Sequence, residues 1–228
     1  MEKFIFEQPL SDLPEKKAYF KRLCGVDMDD VPEKYEDSVS EAGRLLWESC
    51  LIKGIYGRFA IESISDECVV LENGIRFSGE MPPKVLADSR ELFAFVITLY
   101  GFDKLDCGDD MLVEYFADCL GSACIEAAQS AFAARLSTLI KREGLHRTHL
   151  WCPGQHGLEL TNQTAVFELL DPSGIGCTLT DSLLMLPVKS SSGIFGVLPS
   201  GKENTLRPCD FCRFKPTCLG SDKGCAVI

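Results

Sequence analysis

The chain has 228 residues, 46% of them hydrophobic, and a formal net charge of −11 at pH 7, enough for one large domain or two small ones. Phosphate binding needs concentrated Lys and Arg, so this charge excludes nucleic acid as the main partner, and it disfavours an anionic membrane surface. No basic stretch followed by an apolar one opens the chain, and its longest apolar run, residues 92–100, is too short to cross a bilayer. The expected setting is cytoplasmic, where clustered cysteines hold metal more often than they form disulfides.

In chain order, residues 12–23 and 38–52 read as helices; in the second, Val39, Ala42, Leu46 and Ser49 share one face. Turn-punctuated strands follow at 55–64, 68–71 and 75–78, the last two joined by the hairpin signal Asn73-Gly74. Met81-Pro82-Pro83 marks a connection. Residues 92–100 (LFAFVITLY) form a buried-strand candidate, rich in aromatic and β-branched residues. A Pro-free, Ala- and Leu-rich segment from about 110 to Arg142 reads as the dominant helix, with Gly121 as a candidate break. A strand at 145–151 leads to the loop Cys152-Pro153-Gly154, and a helix at about 160–170 stops at Asp171-Pro172. Strands are expected at 183–187 and 191–197, before a Gly- and Pro-containing linker at 199–208.

The C-terminal stretch "PCDFCRFKPTCLGSDKGC" holds Cys209, Cys212, Cys218 and Cys225, a C-x2-C-x5-C-x6-C spacing. Two thiolates separated by two residues converge on one metal across a tight turn. Four such ligands suit either zinc or an iron–sulfur cluster. The remaining cysteines are scattered and read as small buried hydrophobes. His146, His149 and His156 lie close together, with His156 best placed for a role because it follows the Pro-Gly loop.

The segment "HLWCPGQHGLELTNQTAVFELLDPSGIGCTLTDSLLMLPVKSSSGIFG" carries an ordered series of motifs. Pro153-Gly154 precedes a helix ending in Leu169-Leu170-Asp171. Ile175-Gly176, Leu179-Thr180, Ser182, Met185 and Pro187 follow, and then Ser190 and Ser192-Gly193. Over residues 85–198 the chain resembles the activation (reactivation) domain of cobalamin-dependent methionine synthase, and in particular the stand-alone activation-domain-like proteins of anaerobes. Asp118 and Glu126 stand where that family carries acidic residues.

The resemblance implies an α/β (α+β) fold with a mixed or antiparallel sheet and long helices. Residues 1–84 would complete the same domain, 85–198 form the activation-domain-like core, and 199–228 form the linker and Cys-rich extension. The implied function is accessory to corrinoid-dependent methyl transfer: reductive reactivation of a cobalamin-bearing methyltransferase such as methionine synthase, with S-adenosylmethionine as methyl donor. Glu126, Cys152, Pro153, Gly154, His156, Ser192, Gly193 and Phe195 would line the nucleotide or corrinoid pocket. An electron donor is then useful, which favours an iron–sulfur cluster over zinc for Cys209, Cys212, Cys218 and Cys225. The alternative is a non-catalytic corrinoid-protein docking module with a structural zinc tail and no S-adenosylmethionine binding. Two departures bear on the choice. The family's R-x-x-P-G-Y loop begins here at Leu150 and ends at Gln155, so its guanidinium clamp for a carboxylate is missing. Arg147, three residues earlier, faces the opposite way on a regular strand.

Overall fold

The computed structural model describes residues 2–212 and Lys215. Strand β5 (Glu91–Tyr100) lies at the centre because its side chains are buried on both faces. Phe93, Phe95, Ile97 and Leu99 enter one hydrophobic cluster, and Leu92, Ala94 and Val96 enter another. This is the period-2 alternation of a strand covered on both sides, and it explains an apolar run without polar interruption. The antiparallel sheet runs β4 (Arg76–Ser78), β3 (Cys68–Leu71), β2 (Leu51–Ile64), β5, β9 (Ser190–Leu198), β6 (His146–Arg147). Strand β1 (Lys3–Gln8) pairs antiparallel with the first half of β2. A separate ribbon joins β7 (Thr178–Leu179) to β8 (Met185–Leu186).

Helix α4 (Met111–Arg142) crosses one face of the sheet. Its 32 residues extend about 48 Å at 1.5 Å per residue. Asp110 caps it by accepting from the backbone N–H groups of Leu112 and Val113 at 2.8 and 3.2 Å. Helices α1 (Lys16–Cys24) and α2 (Glu36–Ser49) pack on its other side. Covered from two directions, α4 is apolar around most of its girth. The second face of the sheet is covered by α3 (Met81–Val85) and α5 (Asn162–Leu170).

Several boundaries differ from those read in the sequence. Residues 38–52 do not form one helix: α2 ends at Ser49, Cys50 is extended, and Leu51 and Ile52 already pair with Tyr100 and Leu99. Helix α4 is unbroken at Gly121, which serves close approach: a Cβ there would sit 2.7 Å from the Phe102 ring. Met81-Pro82-Pro83 opens a short helix, because Pro is tolerated in a first turn whose N–H groups have no partner anyway. Of residues 145–151 only His146–Arg147 form a regular strand, and of 183–187 only Met185–Leu186. Strand β1 went unread.

Among the described residues no helix is long and apolar enough to cross a membrane.

Candidate functional site

One face of α4 carries polar side chains at helical spacing: Asp118, Ser122, Glu126 and Gln129. Opposite them, the chain entering β9 presents Val188, Lys189, Ser190 and Ser191, and the loop after Trp151 presents Cys152 and Gln155. Together these elements enclose a cleft of about 280 Å³. Lys189 is 15% exposed; its Nζ lies 2.6 Å from Asp118 Oδ1 and donates to Ser122 Oγ at 2.8 Å. Glu126 is ion-paired with Arg22 of α1. Ser191 Oγ donates to Gln129 Oε1 at 2.5 Å. The Cys152 sulfur lies 4.0 Å from both Gln129 Nε2 and Ser191 Oγ.

The cleft is thus bipolar, with an ammonium at one side, a carboxylate at the other and neutral hydrogen-bonding groups between them. Burial pushes the Cys152 thiol up to about 12, only partly offset by Ser191 and Gln129. It stays protonated at neutral pH and is a poor nucleophile or metal ligand.

The loop between Trp151 and Leu158 is tight. Gly154 sits at φ +83° and donates its N–H to Leu158 O at 2.8 Å, and Gln155 N–H donates to Cys152 O at 3.1 Å. His156 also adopts a left-handed backbone, at φ +53°. Its ring meets Trp151 edge-on at 6.5 Å, and burial lowers its pKa. Its Nδ1 and the Trp151 Nε1 are buried without a hydrogen-bond partner among the described residues.

Of the residues expected to line a pocket, His156 lies in that loop against Trp151, and the other seven separate into three groups. Glu126 and Cys152 line the cleft, and Pro153 and Gly154 shape the loop beside it. Ser192 points to the other face of the sheet, where its Oγ donates to Gln163 Oε1 at 3.3 Å, while Ser191 next to it faces α4. Gly193 and Phe195 face α4 but lie in the core. A Cβ on Gly193 would come within 2.6 Å of the Phe95 ring and 2.8 Å of Trp151 O. Phe195 is fully buried and stacks on Phe93 with centroids 5.0 Å apart.

Arg147 does not face away from Leu150, because the strand is irregular. Arg147 pairs with Val197, Thr148 N–H donates to Gly196 O, and Trp151 pairs with Ile194. Three steps on this strand therefore match two on β9, a bulge that reverses the alternation. Leu150 and Arg147 both point to the α4 side. Arg147 nonetheless stays away from the cleft: its guanidinium donates to Ser137 Oγ and to Thr148 O, the latter at 2.9 Å, and lies 5.7 Å from the Phe195 ring. Ser137 is eight residues beyond Gln129, roughly 12 Å along the helix.

Ser122 and Gln129 belong to the cleft but were not singled out from the sequence. The signal was available: Asp118, Ser122, Glu126 and Gln129 interrupt an Ala-rich apolar helix at intervals of three and four.

Beyond the linker, a single 3-10 turn (Pro208–Phe211) carries Cys209, and Cys212 follows it. Cys212 N–H donates to Cys209 O at 3.4 Å, so both thiols sit on one tight turn. Phe211 anchors that turn against Trp151, edge to face at 5.7 Å. Asp210 is held at about 2 by Arg207 and Lys215. Cys218 and Cys225 lie outside the described residues. Among the described residues no group of three or more His, Cys, Asp or Glu side chains is arranged to hold a metal ion.

No family model matches the chain, and no curated protein matches it. Among solved structures it is similar to the MetH reactivation domain bound to AdoHcy, at 15% sequence identity and a TM-score of 0.60, over 89% of this chain and 80% of that one. The likeness is one of fold: a mixed α/β chain with a curled antiparallel sheet and one long helix.

Proposed function

We propose that this protein is a stand-alone accessory to corrinoid-dependent methyl transfer, supporting reductive reactivation of a cobalamin-bearing methyltransferase such as methionine synthase. The observation that carries this reading is the fold likeness to the MetH reactivation domain over 89% of the chain; Glu126, at a position where the family carries an acidic residue, lines one cleft with Cys152, which adjoins the Pro153-Gly154 loop. The implied chemistry is one-electron reduction of a partner's inactive cobalt, drawn forward when S-adenosylmethionine methylates the reduced metal.

In this reading the cleft takes the amino-acid end of S-adenosylmethionine. The Glu126 carboxylate receives the ammonium group. Lys189 receives the carboxylate, standing in for the guanidinium absent at Leu150; Gln129, Gln155 and Ser191 offer neutral hydrogen bonds. Binding exchanges the Arg22–Glu126 and Asp118–Lys189 pairs for ligand contacts, so the net gain is smaller than the contacts suggest. Cys209, Cys212, Cys218 and Cys225 would hold an iron–sulfur cluster, which would relay one electron from an external reductant.

A second reading rests on Leu150, which is fully buried in the core where the family loop has a cation. The protein is then a docking module that keeps the fold, binds no S-adenosylmethionine and holds its tail with zinc.

Anaerobic purification with metal analysis and a visible spectrum, together with calorimetry against S-adenosylmethionine and S-adenosylhomocysteine, separates the two. Iron and sulfide that disappear in Cys209→Ala/Cys212→Ala, with measurable nucleoside binding, support the activator. One zinc per chain and no binding support the docking module. We expect Glu126→Gln and Lys189→Ala each to weaken binding by about 10- to 100-fold, the loss of one charge-assisted hydrogen bond.

A further inference from the structure

The first strand leaves one edge of the sheet open. β1 is paired to β2 along one side, and among the described residues no backbone hydrogen bond reaches its other side. Natural sheets blunt such edges with proline, bulges, very short strands or charged side chains. β1 has no proline and no bulge over its six residues, its charges Lys3 and Glu7 flank rather than interrupt its apolar centre, and that centre exposes Phe4 (45%) and Ile5 (59%). On the α4 side Phe4 stacks on Tyr56 at 5.3 Å and Phe6 on Phe132 at 5.7 Å. A cleft of about 320 Å³ flanks them, walled by Ala131, Arg135 and Leu136. On the opposite side Lys3, Ile5 and Glu7 project in a row.

The sequence of β1, KFIFEQ, is complementary to itself when laid antiparallel. With Ile5 on a twofold axis, Ile5 meets Ile5 of a second copy, Phe4 meets Phe6, and Lys3 meets Glu7, each heterologous pair occurring twice. Lys3 pairs through its backbone with Gly57, and its side chain makes no ion pair or hydrogen bond among the described residues. Glu7 is held by Lys53 at 3.0 Å through Oε1, which leaves Oε2 for a second cation. Opposite charges and paired aromatic residues at facing positions are what stabilise an antiparallel ladder.

We propose that the chain self-associates through β1, as a twofold dimer whose two sheets join antiparallel with Ile5 at the axis. The isologous geometry closes on itself, so the association stops at two copies. The contact is confined to one strand edge and its flanking aromatic side chains. That is less than a permanent dimer buries, and the equilibrium is a reversible one.

Sedimentation equilibrium of the full chain, from low to high micromolar, tests the register. The wild type is expected to show a monomer–dimer equilibrium and Ile5→Lys to remain monomeric. Lys3→Glu and Glu7→Lys place like charges opposite each other twice, and each is expected to weaken association by about tenfold. The double variant Lys3→Glu/Glu7→Lys restores the pairing and should recover most of the affinity, although it still lacks the Glu7–Lys53 pair within the monomer. Both exchanged positions are exposed, so these variants keep the test available even where Ile5→Lys fails to fold. A chain monomeric throughout overturns the proposal, leaving the edge open to a strand of another protein. So does a dimer indifferent to Ile5→Lys, or a double variant no tighter than the single ones.

Discussion

At position 193 a single methyl group decides how closely β9 approaches its neighbours. The site has no room for one against the Phe95 ring or the Trp151 carbonyl. Gly193→Ala is expected to cost about 1–3 kcal/mol, the usual cost of overpacking, read as a fall of several degrees in melting temperature. The histidines set a pH response. Burial lowers the pKa of His149, helped by Arg147 and Arg207, and that of His156, from the ordinary 6.5. Below that value the unfolded chain binds more protons than the folded one, so stability falls as pH drops from about 6.5 through the folded-state values and is level above it. Urea unfolding across that range should show the slope. His156→Asn should reduce it while keeping a residue that tolerates the left-handed backbone.

At the scale of elements, α4 is specified by its ends and by one internal glycine. Asp110→Ala removes two capping hydrogen bonds and is expected to destabilise by about 1 kcal/mol in denaturant unfolding. Gly121→Ala improves helix propensity by about 1 kcal/mol, yet a Cβ there would meet Phe102 at 2.7 Å and Leu99 at 3.4 Å. We expect the clash to win and the variant to melt lower than the wild type. The long helix, the buried strand and the Asn73-Gly74 hairpin were legible because each rests on a local signal. The α2–β2 boundary and β1 were not. Leu51 and Ile52 suit a helix end and a strand start equally well, and the choice is made by Tyr100 and Leu99 across the ladder. Likewise KFIFEQ becomes a strand through its register with residues 52–57, a pairing across some fifty residues of chain.

Across the whole molecule, the cleft and the thiol turn lie on opposite sides of one segment. Cys152 turns toward α4, while Trp151 turns toward α5 and receives Phe211. The tail is therefore placed to act without lining the cleft. If the cleft binds S-adenosylmethionine, Cys209→Ala/Cys212→Ala should leave that affinity within about twofold of wild type, a change below 0.5 kcal/mol. A loss of binding in that variant would show that the tail contributes to the cleft.

The sequence by itself determined the mixture of helices and strands, the burial of β5, the dominant helix and the ordered motifs between 149 and 196, because these depend on periodicity, turn chemistry and spacing along the chain. The fold class followed from the resemblance those motifs carry. Glu126 and Cys152, both expected from the resemblance to line a pocket, do line one cleft. Only the tertiary structure decided that Ser192 faces α5, that Phe195 is core, and that Arg147 and Leu150 share a side. Adjacent residues on a strand point to opposite faces, and one extra residue reverses that order. Which face is which depends on pairing between strands far apart in the chain.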